Sequence, residues 1–104
     1  ITNLPATNVV YHRVEIWNEG RKAAREGSIR IRCGEASVLL VVGETAHPLR
    51  FGKVEFNRVS EQEVVWTLER LNASDPWFRN IVVVGPRTFI QVRADGEDWR
   101  LKLD

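Results

Sequence analysis

The residues able to do chemistry in this sequence are few and scattered. Two histidines, His12 and His47, and one cysteine, Cys33, stand with fourteen carboxylates. No pair has the H-x-H or C-x-x-C spacing of a metal site, so no metal is expected. A nucleophile elbow would read G-x-S-x-G, and a phosphate loop G-x-G-x-x-G or a Walker segment; neither pattern occurs. A single cysteine excludes an intrachain disulfide. Cys33 follows Ile29 and Ile31 in strict alternation, which makes it a small core residue, whereas an activated thiol would need an imidazole beside it. The acids deserve the same test, because β-sandwiches can host paired carboxylates. Glu61 and Glu63 flank Gln62, and Glu55 lies one strand earlier. The outward parity of Glu55 and Glu69 fits a solvated sheet face balanced by arginines. No catalytic, cofactor-binding or metal-binding residue is assigned, and no cofactor is expected.

The basic residues are lopsided, with twelve arginines against Lys22, Lys53 and Lys102. Such a bias accompanies either a GC-rich genome or an anion site. Arg21-Lys22-Ala23-Ala24-Arg25 contains R-x-x-x-R, half of the cyclic-di-GMP signature of PilZ domains. The other half, [DN]-x-S-x-x-G, finds only Asn72-Ala73-Ser74, with Trp77 where its glycine should stand and several strands too late. The same tripeptide spells a glycosylation acceptor, a pattern that recurs by chance. Nucleic acid would require a basic stripe interleaved with exposed aromatics. Arg30, Arg32, Arg100 and Lys102 have outward parity, but Glu15, Glu55 and Glu69 dilute them, and the net charge is only +1. No nucleic-acid partner is expected. Trp66 and Trp99 follow inward parity. Tyr11 and Trp17 share the outward face of the first strand and form the candidate partner surface.

These residues are positioned by elements whose period is two almost everywhere. Strands are expected at Val9 to Trp17, Ser28 to Cys33, Ala36 to Val42, Lys53 to Val59, Glu63 to Arg70, Trp77 to Val84, Thr88 to Ala94 and Asp98 to Leu103. Asn18-Glu19-Gly20, Gly34-Glu35, Gly85-Pro86 and Asp95-Gly96 supply the turns. Ala36 to Val42 is apolar on both faces and is expected to be central. No segment keeps a helical period, and parallel strands would need crossovers of a dozen or more residues. The fold class is therefore all-β: an antiparallel, immunoglobulin-like β-sandwich of seven to nine strands without a disulfide. At 104 residues the chain makes one domain. Residues 1–8 are read as an N-terminal tether and 9–104 as the sandwich. Its expected core is Val14, Ile16, Ile29, Ile31, Leu40, Val54, Phe56, Val64, Trp66, Leu68, Ile81, Val83, Ile90, Val92, Trp99 and Leu101.

Three segments carry a resemblance. Val14-Glu15-Ile16-Trp17-Asn18-Glu19-Gly20 has the V-x-I-x-N-x-G pattern of many immunoglobulin-like sandwiches. Gly27-Ser28-Ile29-Arg30-Ile31 enters a strand after a short loop. Val65 to Trp77 resembles a strand followed by L-N-P-G-D-x-F and another strand. In that stretch Leu71, Asn72 and Asp75 match, Ala73 and Ser74 replace the Pro and Gly, and Trp77 holds the aromatic place. Together they resemble a poorly characterised bacterial sandwich domain that usually follows membrane-spanning helices and has no attached enzymatic activity. Leu71, Asn72, Asp75 and Trp77 are then expected to form a structural loop. Its polar side chains would bond local amides, and its ends would be pinned in the core.

The resemblance implies a non-enzymatic accessory or binding module with a protein partner, the soluble portion of a bacterial membrane-associated protein. An upstream spanning helix is expected, because the chain opens at Ile1 without a methionine, residues 1–8 read as a short tether, and the family it resembles is usually built this way. Within the chain the longest apolar run, Val38 to Val42, falls far short of the ~18 residues a span requires. An extracytoplasmic carbohydrate-binding module using Tyr11 and Trp17 is the alternative, and a small hydrolase with an acid pair the remote one. Calorimetric titration with zinc and with cyclic-di-GMP is expected to give no binding heat. A micromolar signal from either would overturn the assignment of sites.

Overall fold

The computed structural model describes residues 7–20, 25–43 and 51–103. These form eight strands: β1 Asn8–Asn18, β2 Gly27–Cys33, β3 Val38–Val42, β4 Val54–Arg58, β5 Glu63–Leu68, β6 Trp77–Gly85, β7 Ile90–Asp95 and β8 Trp99–Leu103. They pair entirely antiparallel into two four-stranded sheets, β3-β6-β1-β8 and β4-β5-β2-β7. This is the expected antiparallel sandwich, and its cysteine is free and buried. The neighbours β4-β5-β2 and β3-β6 have the sequential order of the middle strands of an immunoglobulin sandwich. Beside β6, where that fold places its last strand, stands β1; beside β2, where it places its first, stands β7. The pairings β1 with β8, β2 with β7, β3 with β6 and β4 with β5 are nested, as in a jelly roll.

Alternation builds the core. Val14 and Ile16 of β1, Ile29 and Ile31 of β2, Val64, Trp66 and Leu68 of β5, and Trp77, Ile81 and Val83 of β6 are buried between the sheets. Trp66 meets Trp77 edge-on across the interface with ring centroids 5.0 Å apart, and Phe56 leans on the other side of Trp66 at 5.1 Å. Offset and edge-on pairs of this kind are favourable beyond their buried area. Arg79 also points inward at 8% exposure, its guanidinium 5.2 Å from the Trp77 ring and donating to the Phe78 carbonyl at 2.7 Å.

Three expectations about β3 and β4 require correction. β3 is an edge strand, not a central one. Leu40 is 45% exposed, and Leu39 takes its place in the core. The register explains why: Leu39 lies opposite Val83, which faces inward, so Leu40 opposite Val82 must face out. In a run of five apolar residues the alternation carries no sign, and a one-residue shift exchanges the faces. Phe56 has the expected inward parity but remains 40% exposed, because β4 is itself an edge. Phe51 is a further buried residue that the alternation did not reveal.

The outer edge of β3 is closed by the β4–β5 turn. The Leu39 amide donates to the Glu61 carbonyl at 2.9 Å, and the Arg58 guanidinium donates to the carbonyls of Leu39 at 2.7 Å and Ser60 at 3.0 Å. Buried Ser37 adds two links, accepting from Gln62 Nε2 on its carbonyl at 2.9 Å and from the Arg87 amide on Oγ at 3.0 Å. Gly85 passes over Ser37 with φ of 146°, and a Cβ there would stand 2.5 Å from the serine Oγ.

Trp66→Ala empties a large aromatic site between the sheets and is expected to cost about 3–5 kcal/mol. Urea midpoints would measure it, and a loss below about 1 kcal/mol would contradict the packing of β5 against β6.

Candidate functional site: the outer face of the β3-β6-β1 layer

The inward parity of β1, β3 and β6 decides what these strands present to solvent. With Val83 and Ile81 inside, Val82 and Val84 face out. Across the register Val9, Val84 and Val38 make one row, and Tyr11, Val82 and Leu40 the next. In the third row Arg13, Asn80 and Val42 lie side by side. The result is an apolar patch spanning three strands on the outside of one sheet. Val82 at its centre is nearly covered by its neighbours, while Tyr11 at one end of the middle row is 72% exposed, Val9 55%, and Leu40 and Val42 45% each. A sheet face open to water is normally polar, so a three-strand apolar patch makes this face the candidate site.

Tyr11 keeps its outward parity and is exposed. Trp17 lies on the same face of β1 but in another environment. Arg13, beside Asn80 and stacked on the exposed Phe78 ring, and Glu15, beside Phe78 and Lys102, stand between it and Tyr11. Its ring is half-buried, the Lys102 ammonium sits 5.0 Å from its centroid, and its indole Nε1 donates to Glu15 at 3.1 Å. The two aromatics do not form one bare platform. Of the Arg21 to Gly27 loop, Arg25 and Glu26 are exposed and Gly27 is buried, while residues 21–24 lie outside the described residues, as does His47. The neighbours that do join Tyr11 are Val82, Val84, Leu40 and Val42. Their signal was the two-faced apolarity of β3 and β6, which also describes a buried central strand.

The loop after β5 has its ends in the core, since Leu71 and Trp77 are fully buried. Its fastening differs from the expected local side-chain bonds of Asn72 and Asp75. The Asp75 amide donates to the Asn72 carbonyl at 3.3 Å. The side chain that holds the loop is that of Asn18, 5% exposed at the end of β1, whose Nδ2 donates to the Leu71 carbonyl at 2.9 Å. Its Oδ1 accepts from the Gly20 amide at 2.8 Å, so one buried amide ties a turn and a crossover together.

The remaining chemical candidates have structural duties. His12 Nε2 lies 2.7 Å from the Thr88 carbonyl. Burial pushes the Cys33 thiol up, which keeps it protonated and unreactive at neutral pH. Glu69 accepts the Lys53 amide at 2.8 Å, Lys53 pairs with Glu55 at 3.2 Å, and Glu63 pairs with Arg30 at 3.4 Å. Among the described residues no three His, Cys, Asp or Glu side chains group as a metal site, and no helix is long and apolar enough to cross a membrane. Arg30 and Arg32 lie on one sheet and Arg100 and Lys102 on the other, so the outward cations do not join into one stripe. Comparison with protein-family models, curated proteins and solved structures finds no match to this chain.

Glu15 borders the patch, and its carboxyl is held below the usual range, first by the Trp17 indole and then by Arg13. Such a group contributes stability above its unfolded value of about 4.3 and loses it as the pH falls through the lower folded value. Glu15→Gln is expected to be less stable than wild type at pH 7, with the gap closing below about pH 4 in urea melts. A gap of equal size at pH 7 and pH 3 would show that charge plays no part.

Proposed function

We propose that this domain is a non-enzymatic interaction module that docks an unlike protein on the outer face of β3-β6-β1. The observation that carries the reading is the apolar patch around Tyr11. A tyrosine exposed amid valines and a leucine supplies a large, rigid anchor with few rotamers, the type of side chain enriched where binding energy concentrates. Arg13 and Asn80 provide a polar rim at one end of the patch.

Size favours an unlike partner over a second copy. The exposed parts of Val9, Tyr11, Leu40 and Val42 amount to roughly 400 Å² of apolar surface. Two such patches face to face would bury about 800 Å² in total, below the ~1,200–2,000 Å² of a stable specific interface. A partner that also covers the rim reaches that range. The sugar-binding alternative is less favoured, because Lys102 covers the second aromatic it would need. Placement of the module in a bacterial membrane-associated protein rests on the resemblance of its strand and loop motifs.

A photo-crosslinking residue at Tyr11 or Leu40, in the full-length protein in its own cells, is expected to yield one discrete adduct of a different protein. The same residue at exposed Gln91 on the opposite sheet should not yield it, and Val42→Glu should abolish it. The absence of an adduct at both positions would overturn the reading, and an adduct with a second copy would replace the unlike partner by a dimer.

A further inference from the structure

The opposite face of the sandwich carries a separate arrangement, which makes no use of the apolar patch. Ile29 and Ile31 are fully buried, so Arg30 and Arg32 between and after them project outward from β2. In the β2–β7 register Arg30 stands directly opposite Arg93, and Arg32 opposite Gln91. Directly opposed residues have Cβ atoms about 5 Å apart, and Arg32 follows Arg30 on the same face at about 7 Å. Three guanidinium groups thus rise from one corner of the sheet, around an open hollow of about 300 Å³ that Gln91 and Glu63 also line.

The charges there do not cancel. Glu63 lies 3.4 Å from Arg30 Nη1, and Asp95 3.2 Å from Arg93 Nε. Arg32 stands opposite Glu63 in the β2–β5 register but makes no ion pair with it or with any other described residue, so two carboxylates face three guanidinium groups. Like charges set directly across two strands are destabilising, and the Arg30–Arg93 opposition is that arrangement. Glu63 engages Arg30 through one terminal nitrogen, and Asp95 engages Arg93 through Nε. The other guanidinium N–H donors of the three side chains remain available to a ligand. All three are arginines, whose planar forks bind two oxygens at once, which a lysine ammonium does not do.

We propose that the Arg30–Arg32–Arg93 hollow binds a tetrahedral oxyanion of the phosphate class, as the free anion or as a monoester. Arg32 takes the anion with its whole fork, Arg30 and Arg93 close on it from the neighbouring positions, and the Gln91 amide adds a neutral donor. The ligand relieves the repulsion across β2 and β7. Glu63 opposes binding, since it competes for Arg30 and adds negative charge at the rim.

The test is titration of the folded domain at low ionic strength and pH 7.5 with inorganic phosphate and, separately, methyl phosphate. The arginine Nε–Hε resonances report by NMR, and chloride at matched ionic strength is the control. Saturable shifts are expected at Arg30, Arg32 and Arg93, with much smaller ones at Arg13 and Arg100. Arg32→Gln, an exposed change on a strand surface, should weaken binding about tenfold, as loss of one charge-assisted fork implies. Arg93→Gln should weaken it less, and Glu63→Gln should tighten it. Saturation by phosphate alone assigns the free anion, and saturation by both ligands assigns the monoester. Shifts that never saturate, shifts equal at Arg13 and Arg100, or an affinity unchanged in Arg32→Gln would overturn the site.

Discussion

The edge-on contact of Trp66 with Trp77 is the constraint from which both outer faces follow. It joins β5 of one sheet to β6 of the other across the gap between them. Once Trp77 is inside, the two-residue period sends Ile81 and Val83 inside as well, and Val82 and Val84 out. Trp66 acts similarly through its partner Ile29, which is buried in register with it and thereby turns Arg30 and Arg32 to solvent. The surfaces that could meet a partner or an anion are thus fixed from within. A slip of one residue in β2 would bury Arg30 and Arg32, and one in β6 would expose Trp77, costs no surface contact could offset.

The fold was legible because alternation is strong in most strands. Val14-Glu15-Ile16 and Ile29-Arg30-Ile31-Arg32-Cys33 state their inward and outward sides without ambiguity, and the structure keeps both. Val38 to Val42 states nothing, because every position is apolar. Two-sided apolarity was compatible with burial on both faces or with one sticky face, and only the pairing with β6 separates these. The candidate site was legible to the same degree. Tyr11 stood out by its outward parity, but its companions come from β3 and β6 and required the strand order. Arg30 and Arg32 were visible as outward cations, whereas Arg93 meets them through a register between strands some sixty positions apart in the chain.

The two faces differ in the physics by which they would act. The Tyr11 patch offers area and shape, with binding strength set by exclusion of water and little affected by salt. The arginine corner offers charge in an open setting, where attraction falls with ionic strength. Both faces draw side chains from an edge strand, β3 in one and β7 in the other, but neither uses that strand's outer backbone groups. One domain can therefore hold an apolar contact on one side and an anionic one on the other without a conformational change to link them.

The Arg58 bonds to the β3 edge have a consequence for solubility. Three of the four edge strands carry charges: Glu55 and Arg58 on β4, Arg93 and Asp95 on β7, and Arg100 and Lys102 on β8. β3 carries none, and its side chains form part of the exposed apolar patch. A bare edge of that composition is the template on which chains stack into cross-β fibres. By occupying the Leu39 amide and carbonyl, the β4–β5 turn denies a second chain its first rung there. The patch can stay apolar enough to serve a partner while the strand that carries it is kept from seeding a fibril.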